Sequence, residues 1–376
     1  MADSRKRVYV SVVSDLVTDQ RVHRTSQALL HKGLEVTLVG RRLKSSLAVD
    51  DRAYKVKRFN LPFERGPFFY LFYNIRLFIY LLFRKTDILV ANDLDTLPAN
   101  FIISKIKGAA LYYDSHEYFT GVPELAHRNT TRKIWKLMER WMLPRLKHVY
   151  TVNESIADLY RKEYGINPAV VRNLPFRQNL SERKKSRVEL NLPLDKKLLL
   201  FQGAGINIQR GAEEILEAMQ YLDDCILLFI GSGDVVQTLK KETISLNLSQ
   251  KVFFFPKMPL SELRQYTGIA DMGLSLDKDT NINYRFSLPN KLFDYIQAGV
   301  PVLASNLPEI KKVIEKYKIG MLLSSHDPKE IAEVVRDFFN DKERLASWKE
   351  NLKFAAQELC WENEEVHLLK IFEDAI

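Results

Sequence analysis

Residues 281–310, NINYRFSLPNKLFDYIQAGVPVLASNLPEI, read as loop, helix, strand and loop. Ser287 and Asn290 flank Pro289, and either can cap a helix that proline can start. Leu292, Phe293, Ile296 and Ala298 give that helix an apolar face, and Gly299 suits the left-handed residue that ends it. Val300 to Ala304 is then a short apolar run, the pattern of a buried parallel strand. Lys291 falls in the first helical turn, beside unpaired backbone N–H groups where an anionic phosphate would be held. Asp294 follows at i+3 on the same face, an acceptor for hydroxyls one turn from the cation. Spacing alone favours an ordinary surface ion pair between the two.

The run PNKLFDYIQAGVPVLAS resembles the nucleotide-sugar signature in the C-terminal domain of family-4 glycosyltransferases, retaining enzymes of the GT-B fold. In that family a Glu usually stands where Asp294 stands and binds the donor ribose, and a basic residue near the helix start binds the diphosphate. The resemblance therefore gives Asp294 and Lys291 these roles. It also departs from the family pattern. The usual first acid lies eight positions before the ribose-binding one, and that position here is Phe286. Asn281, Asn283, Tyr284 or backbone N–H groups would then have to meet the sugar.

The chain has 376 residues, 46% of them hydrophobic, which fits two folded domains of ordinary size. Cys225 and Cys360 are far apart, with neither metal-ligand spacing nor a disulfide framework, as suits a reducing cytosol. MADSRKRVYV leads straight into a strand without an apolar signal segment, so a cytoplasmic location is expected. The net charge of +9 is uneven. Residues 1–175 carry 29 Lys and Arg against 17 Asp and Glu, whereas residues 176–376 carry 27 against 30. The basic half suits an anionic membrane or an anionic lipid-linked substrate. Nucleic acid is not expected, because no helix-turn-helix, zinc-finger or RNP-like pattern is present.

From the N-terminus, Arg7–Val13 reads as a strand, Gln20–Lys32 as a helix capped by Asp19 and ended by Gly33, and Glu35–Val39 as a second strand. This β-α-β opening implies a parallel sheet with helices on both faces. No Gly-x-Gly-x-x-Gly follows the first strand, which argues against a dinucleotide site there. The loop SDLVTDQRVHR resembles the family's acceptor-side loop without its paired glycines, making Asp15, Asp19, Arg21 and Arg24 acceptor-side candidates; a pure capping role for Asp19 stays open.

Phe68–Phe83 is the most apolar stretch. It is shorter than the roughly 20 residues a spanning helix needs. With Arg65 before it and Arg84 and Lys85 after it, it suits either a helix lying in a membrane interface, peripheral on the inner face, or a helix buried in the core. Asp93-Leu94-Asp95 after the strand Asp87–Ala91 has the form of a metal-chelating Asp-x-Asp, but helix capping accounts for it, and no metal is expected. The strand Ala109–Tyr113 ends in DSHEYF, which resembles the family segment whose His reaches the donor sugar; that role passes to His116, with Asp114 and Glu117 as orienting partners. Trp135, Met138, Trp141 and Met142 at helical spacing read as core.

VVRNLP (170–175) matches the family's crossing to its second domain, and 177–188 reads as linker. The strand Leu198–Gln202 leads into GAGINIQRG, where Arg210 matches the basic residue of the family's Arg-Gly pair; Ala204 and Gly205 stand where the family has another Arg. Gly203, and Gly231 and Gly233 after the strand Cys225–Ile230, allow backbone to approach a ligand. The expected architecture is α/β, a GT-B pair of Rossmann-like domains facing across a cleft. These are residues 1–174 on the acceptor side and 175–359 for the nucleotide sugar, with a helix at about 360–376 returning to the first.

The resemblance implies transfer of a sugar, with retention, from a nucleotide diphosphate sugar to a glycan or lipid-linked acceptor in cell-surface polysaccharide or glycolipid synthesis. His116, Arg210 and Lys291 would be catalytic. Gly203, Arg210, Gly231, Gly233, Lys291, Leu292 and Asp294 would bind the donor, without cofactor or metal. A nucleotide-sugar epimerase or a non-catalytic sugar-nucleotide-binding subunit are the competing readings.

Overall fold

A computed structural model describes residues 5–17, 19–46, 48–49, 51–125, 128–178 and 185–375. The chain divides into two compact units, residues 1–173 with 364–376, and residues 174–363. Each is a parallel sheet covered by helices.

In the first unit the order is β1 (Arg7–Ser11), α1 (Gln20–His31), β2 (Glu35–Arg42), β3 (Lys55–Asn60), α2 (Pro67–Leu82), β4 (Ile88–Asn92), α3 (Leu97–Lys107), β5 (Ala110–Ser115), α4 (Asn129–Met142), β6 (His148–Thr151), α5 (Glu154–Tyr164) and β7 (Ala169–Val170). The strands lie in the order β3-β2-β1-β4-β5-β6-β7, all parallel. Strand order reverses between β1 and β4, where the loops at the strand ends part and a crevice for ligand is expected. Asp19 caps α1 by accepting from the Val22 N–H at 3.3 Å. Residues 364–376 complete this unit. Phe372 is buried and stacks on Tyr112 with ring centres 4.0 Å apart, Lys6 Nζ donates to the Ala375 carbonyl at 2.7 Å, and Arg172 meets Glu364 at 2.7 Å.

The second unit runs β8 (Lys197–Gly203), α6 (Ala212–Ala218), β9 (Cys225–Gly231), α7 (Val236–Ser245), β10 (Val252–Phe255), α8 (Leu260–Thr267), β11 (Met272–Ser275), α9 (Ile282–Arg285), α10 (Asn290–Ala298), β12 (Val302–Ser305), α11 (Pro308–Tyr317), β13 (Gly320–Leu323), α12 (Pro328–Asn340) and α13 (Lys342–Glu358); α14 (Trp361–Ile371) then leads into the first unit. Its strands lie β10-β9-β8-β11-β12-β13, again parallel, with the reversal between β8 and β11. Leucine, isoleucine and phenylalanine from both faces of these strands fill two cores, as a sheet covered on both sides requires.

Four sequence expectations change. A single turn, α9, precedes α10, and neither Ser287 nor Asn290 caps α10: Pro289 occupies the cap position and Asn290 begins the helix. Asp93 and Asp95 do not cap α3, whose cap position is Thr96. Trp135 and Met142 are buried, but Trp141 is 53% exposed, because α4 turns a second apolar face outward. Residues 179–184 of the expected linker lie outside the described residues, and the ends on either side are tied into the second unit, Gln178 N to Gln297 Oε1 at 3.0 Å and Lys185 N to Gln265 Oε1 at 3.0 Å.

Close backbone packing at the β8–β9 edge depends on glycine. Gly231 has φ of 145°, and a Cβ there would lie 1.8 Å from the Gly203 carbonyl oxygen. Gly231→Ala is expected to lower the unfolding free energy by about 2 kcal/mol or more, read from urea melts; an unchanged midpoint would show that the edge relaxes.

Candidate functional site

The second unit gathers two cations and a carboxylate at the ends of the strands that flank its reversal. Arg210 closes the loop after β8, Asp277 follows β11, and Lys291 opens α10. Arg210 Nη1 lies 3.3 Å from both oxygens of Asp277, and Lys291 Nζ lies 3.9 Å from Asp277 Oδ1. Asp277 is fully buried. Gly211 makes the approach feasible: its φ is 78°, and a Cβ would sit 2.3 Å from the Leu276 carbonyl oxygen. Aromatic rings back both cations, Tyr284 under the Arg210 guanidinium at 4.4 Å and Phe201 under Lys291 Nζ at 4.6 Å. Burial pulls the Lys291 pKa below its ordinary value, Asp277 opposes that, and Arg210 adds to it. Arg210 Nε is buried and has no hydrogen-bond partner among the described residues. An unmet buried donor on a cation is costly.

Lys291 therefore pairs with Asp277 across the strand ends and not with Asp294. Asp294 Oδ2 takes a long hydrogen bond, 3.4 Å, from Gln202 Nε2, and Gln202 Oε1 accepts from Thr267 Oγ1 at 2.7 Å. Leu292 is wholly buried, its side chain in the core and its N–H bonded to the Pro289 carbonyl at 3.1 Å. Gly203 pairs in register with Gly231, and a Cβ on Gly233 would strike the Ile206 carbonyl oxygen at 2.0 Å. Asp277 escaped the sequence reading; its signal was only that it is the first carboxylate beyond the strand run DMGLSL.

The first unit carries a second polar cluster at its own strand reversal. His116 sits just past β5. Its Nδ1 lies 3.2 Å from Asp93 Oδ2, its Nε2 lies 3.4 Å from Asp114 Oδ2 and 3.2 Å from Asn92 Oδ1, and its backbone N–H donates to Asp93 Oδ1 at 2.9 Å. Asp93 reaches the ring from a left-handed backbone, φ 61°, which aspartate tolerates better than most residues. Arg21 is 5% exposed and clamps Asp114 with Nε at 2.9 Å and Nη2 at 2.6 Å, while Nη1 donates to the Val171 carbonyl at 2.9 Å. Arg21 thus belongs to the His116 cluster. Arg24 donates to Asn173, Asp15 accepts from Ser46 and Arg58, and Glu117 is exposed with its carbonyl taking the Ser115 hydroxyl. Among the described residues no three or more His, Cys, Asp or Glu side chains form a set that could hold a metal ion.

Burial works against a charge on His116, but Asp93 and Asp114 on either side overcome it and lift the pKa to about 9 from an ordinary 6.5. Burial would raise Asp114, yet Arg21 and His116 hold it below its ordinary range; Asp93, buried with less help, is raised. The cluster is thus an imidazolium held between carboxylates. Its contribution to stability is complete below pH 6.5 and is lost as pH rises through about 9. Between these limits wild type is expected to lose on the order of 3 kcal/mol more than His116→Gln in pH-dependent urea melts. Taking the difference removes Glu139, fully buried on α4, which burial pushes up to about 7. Parallel pH curves for the two proteins would show that His116 is neutral.

Two family models match in succession, Glycosyltransferase Family 4 over residues 19–175 and Glycosyl transferases group 1 over residues 182–353. A curated relative, the chitobiosyldiphosphodolichol beta-mannosyltransferase of Candida albicans, is 22% identical over 293 residues, 71% of this chain and 64% of that enzyme. The chain spans about half to two thirds of the length of the curated relatives it matches. Among solved structures, sucrose-phosphate synthase from Thermosynechococcus elongatus aligns with a TM-score of 0.82 at 15% identity over 98% of this chain and 99% of that one. Alr3699/HepE of Anabaena in complex with UDP-glucose aligns with a TM-score of 0.74 at 14% identity over 98% of each chain. The two consecutive family domains and the doubled parallel sheet agree: the chain belongs to the glycosyltransferases of the GT-B fold, of family-4 type.

Proposed function

We propose that the chain moves a sugar from a nucleotide diphosphate sugar to a glycan or lipid-linked acceptor, with retention at the anomeric carbon. The observation that carries this is the Arg210–Asp277–Lys291 group at the strand reversal of the second unit, with its unmet Arg210 Nε. Arg210 and Lys291 neutralise the diphosphate as it leaves, which is where charge develops and where fixed cations lower the barrier most. Asp294, one turn along α10, accepts from ribose hydroxyls. Gly203, Gly231 and Gly233 are proposed to bring the backbone of the β8 and β9 loops to the nucleotide. In the first unit, His116 is proposed as a sugar-binding residue, cationic at neutral pH with its charge countered by Asp93 and Asp114. No metal is required, because two cations do its electrostatic work. The HepE neighbour's complex with UDP-glucose makes UDP-sugars the first donors to try.

The same reading includes an anionic membrane as the surface on which a lipid-linked acceptor is met. No helix among the described residues is long and apolar enough to cross a membrane. α2 buries Phe69, Tyr73, Leu77 and Leu81 and leaves Phe68, Leu71, Phe72, Ile75, Ile79 and Phe83 exposed. α3 and α4 extend this face with Ile102, Ile106, Ile134, Leu137 and Trp141, and they are joined to it through Tyr70–Trp135 and Phe101–Trp141 ring contacts. The only carboxylate on the three helices is Glu139, which is buried, whereas Arg76, Lys105, Arg132, Lys133 and Arg140 are exposed. An apolar face with an all-basic collar fits an anionic lipid interface.

A thermal-shift screen of UDP-, GDP-, ADP- and dTDP-sugars tests the donor claim. One nucleotide class should stabilise the protein by about 2.7 kcal/mol at one hundred times its dissociation constant, with or without EDTA, and Lys291→Ala should abolish the shift. The Candida relative is named for a beta linkage, so product configuration, read by NMR, decides retention. For the membrane claim, Phe72→Glu with Ile75→Glu should abolish sedimentation with phosphatidylglycerol vesicles while the donor shift persists. Equal sedimentation of both proteins would remove this face from the acceptor reading.

A further inference from the structure

The donor reading assigns work to Arg210 and Lys291 but none to the buried carboxylate between them. Placing two cations in a largely buried site is unfavourable unless a counter-charge is built in. Asp277 is that counter-charge. It is fully buried, it is held 3.3 Å from Arg210 through both oxygens, and it stands 3.9 Å from Lys291. Position matters as much as charge. Arg210 comes from the loop after β8 and Lys291 from α10, and Asp277 is the group common to both. The Arg210 contact to Asp277 uses one nitrogen, Nη1, at the long end of the hydrogen-bond range, a contact that a diphosphate oxygen can displace.

Resting on the proposed donor site, we infer that Asp277 is a positioning residue: it holds Arg210 and Lys291 side by side, keeps Lys291 charged when the site is empty, and yields its partners when a diphosphate arrives. The groups facing Lys291 are few. Asp277 and Arg210 meet it from the two strand ends, Phe201 lies beneath it, and Asp294 follows on its own helix. Around them, Tyr284 stacks on Arg210, the Tyr295 hydroxyl is bonded to the Leu200 carbonyl, and Lys278 is paired with Glu214. Asp277 is thus the near carboxylate that opposes loss of the Lys291 proton, which burial and Arg210 both promote. A carboxylate with a purely structural role would leave the ionisation of Lys291 alone.

The test is calorimetric binding of inorganic pyrophosphate and of UDP, GDP and ADP between pH 6 and pH 10. It uses the full chain, Asp277→Asn, Asp277→Ser and the double variant Asp277→Asn with Lys291→Arg. Wild type and the single variants should bind comparably at the acid end. The alkaline fall in affinity should begin at lower pH in Asp277→Asn and Asp277→Ser, with about a tenfold gap from wild type where the curves differ most. Arginine keeps its proton across this range, so the double variant should lose the alkaline fall. Coincident profiles in wild type and the single variants, or a double variant that still falls, would overturn the role. If the single variants do not fold, Lys291→Arg decides by itself: it should bind without the alkaline fall seen in wild type, and a persisting fall would overturn the role. Absence of binding to wild type at any pH would instead overturn the donor site itself.

Discussion

Two like charges held near each other away from water need a third charge of opposite sign, and the second unit is arranged around meeting that need. Asp277 can sit between Arg210 and Lys291 because β8 and β11 are neighbours in the sheet. Gly211 allows the backbones to touch, and the Phe201 and Tyr284 rings pack against the two cations. Exposed in water this ion group would contribute little; in a buried setting its geometry is fixed before any ligand comes.

The first unit meets a related constraint with a different balance. There two carboxylates face two cations, one of them an imidazolium. Asp93 and Asp114 flank His116, and Arg21 offsets the negative charge that would otherwise accumulate. Both clusters lie at the C-terminal ends of parallel strands, where neighbouring loops diverge and leave backbone and side chains accessible. The repeated topology thus supplies equivalent places, and the residues set there give them different charge balances.

Much of this was legible in the sequence. Short apolar runs gave the strands, Gly33 and Gly299 the helix ends, and the resemblance of PNKLFDYIQAGVPVLAS directed attention to Lys291 and, through its neighbour segments, to Arg210 and His116. What stayed hidden was pairing between distant residues. Arg210 and Asp277 are brought together by strand order, which no local periodicity encodes. Asp93 looked like a cap because an acid before a helix usually is one, whereas its left-handed backbone turns it to His116. Trp141 looked like core because its spacing on α4 fits an apolar face; spacing cannot say which of two apolar faces will be covered.

The return of residues 364–376 to the first unit orders events during synthesis. Phe372 against Tyr112, Ala375 against Lys6 and Glu364 against Arg172 are contacts that residues 1–173 cannot make until the whole of the second unit has been translated. At about 5–20 residues per second that delay is roughly ten to forty seconds. A nascent first unit waits that long with one face of the Tyr112 ring lacking Phe372, the other stacked on His148, and with Arg172 lacking its carboxylate, so the second unit, later in sequence, is the first able to close completely.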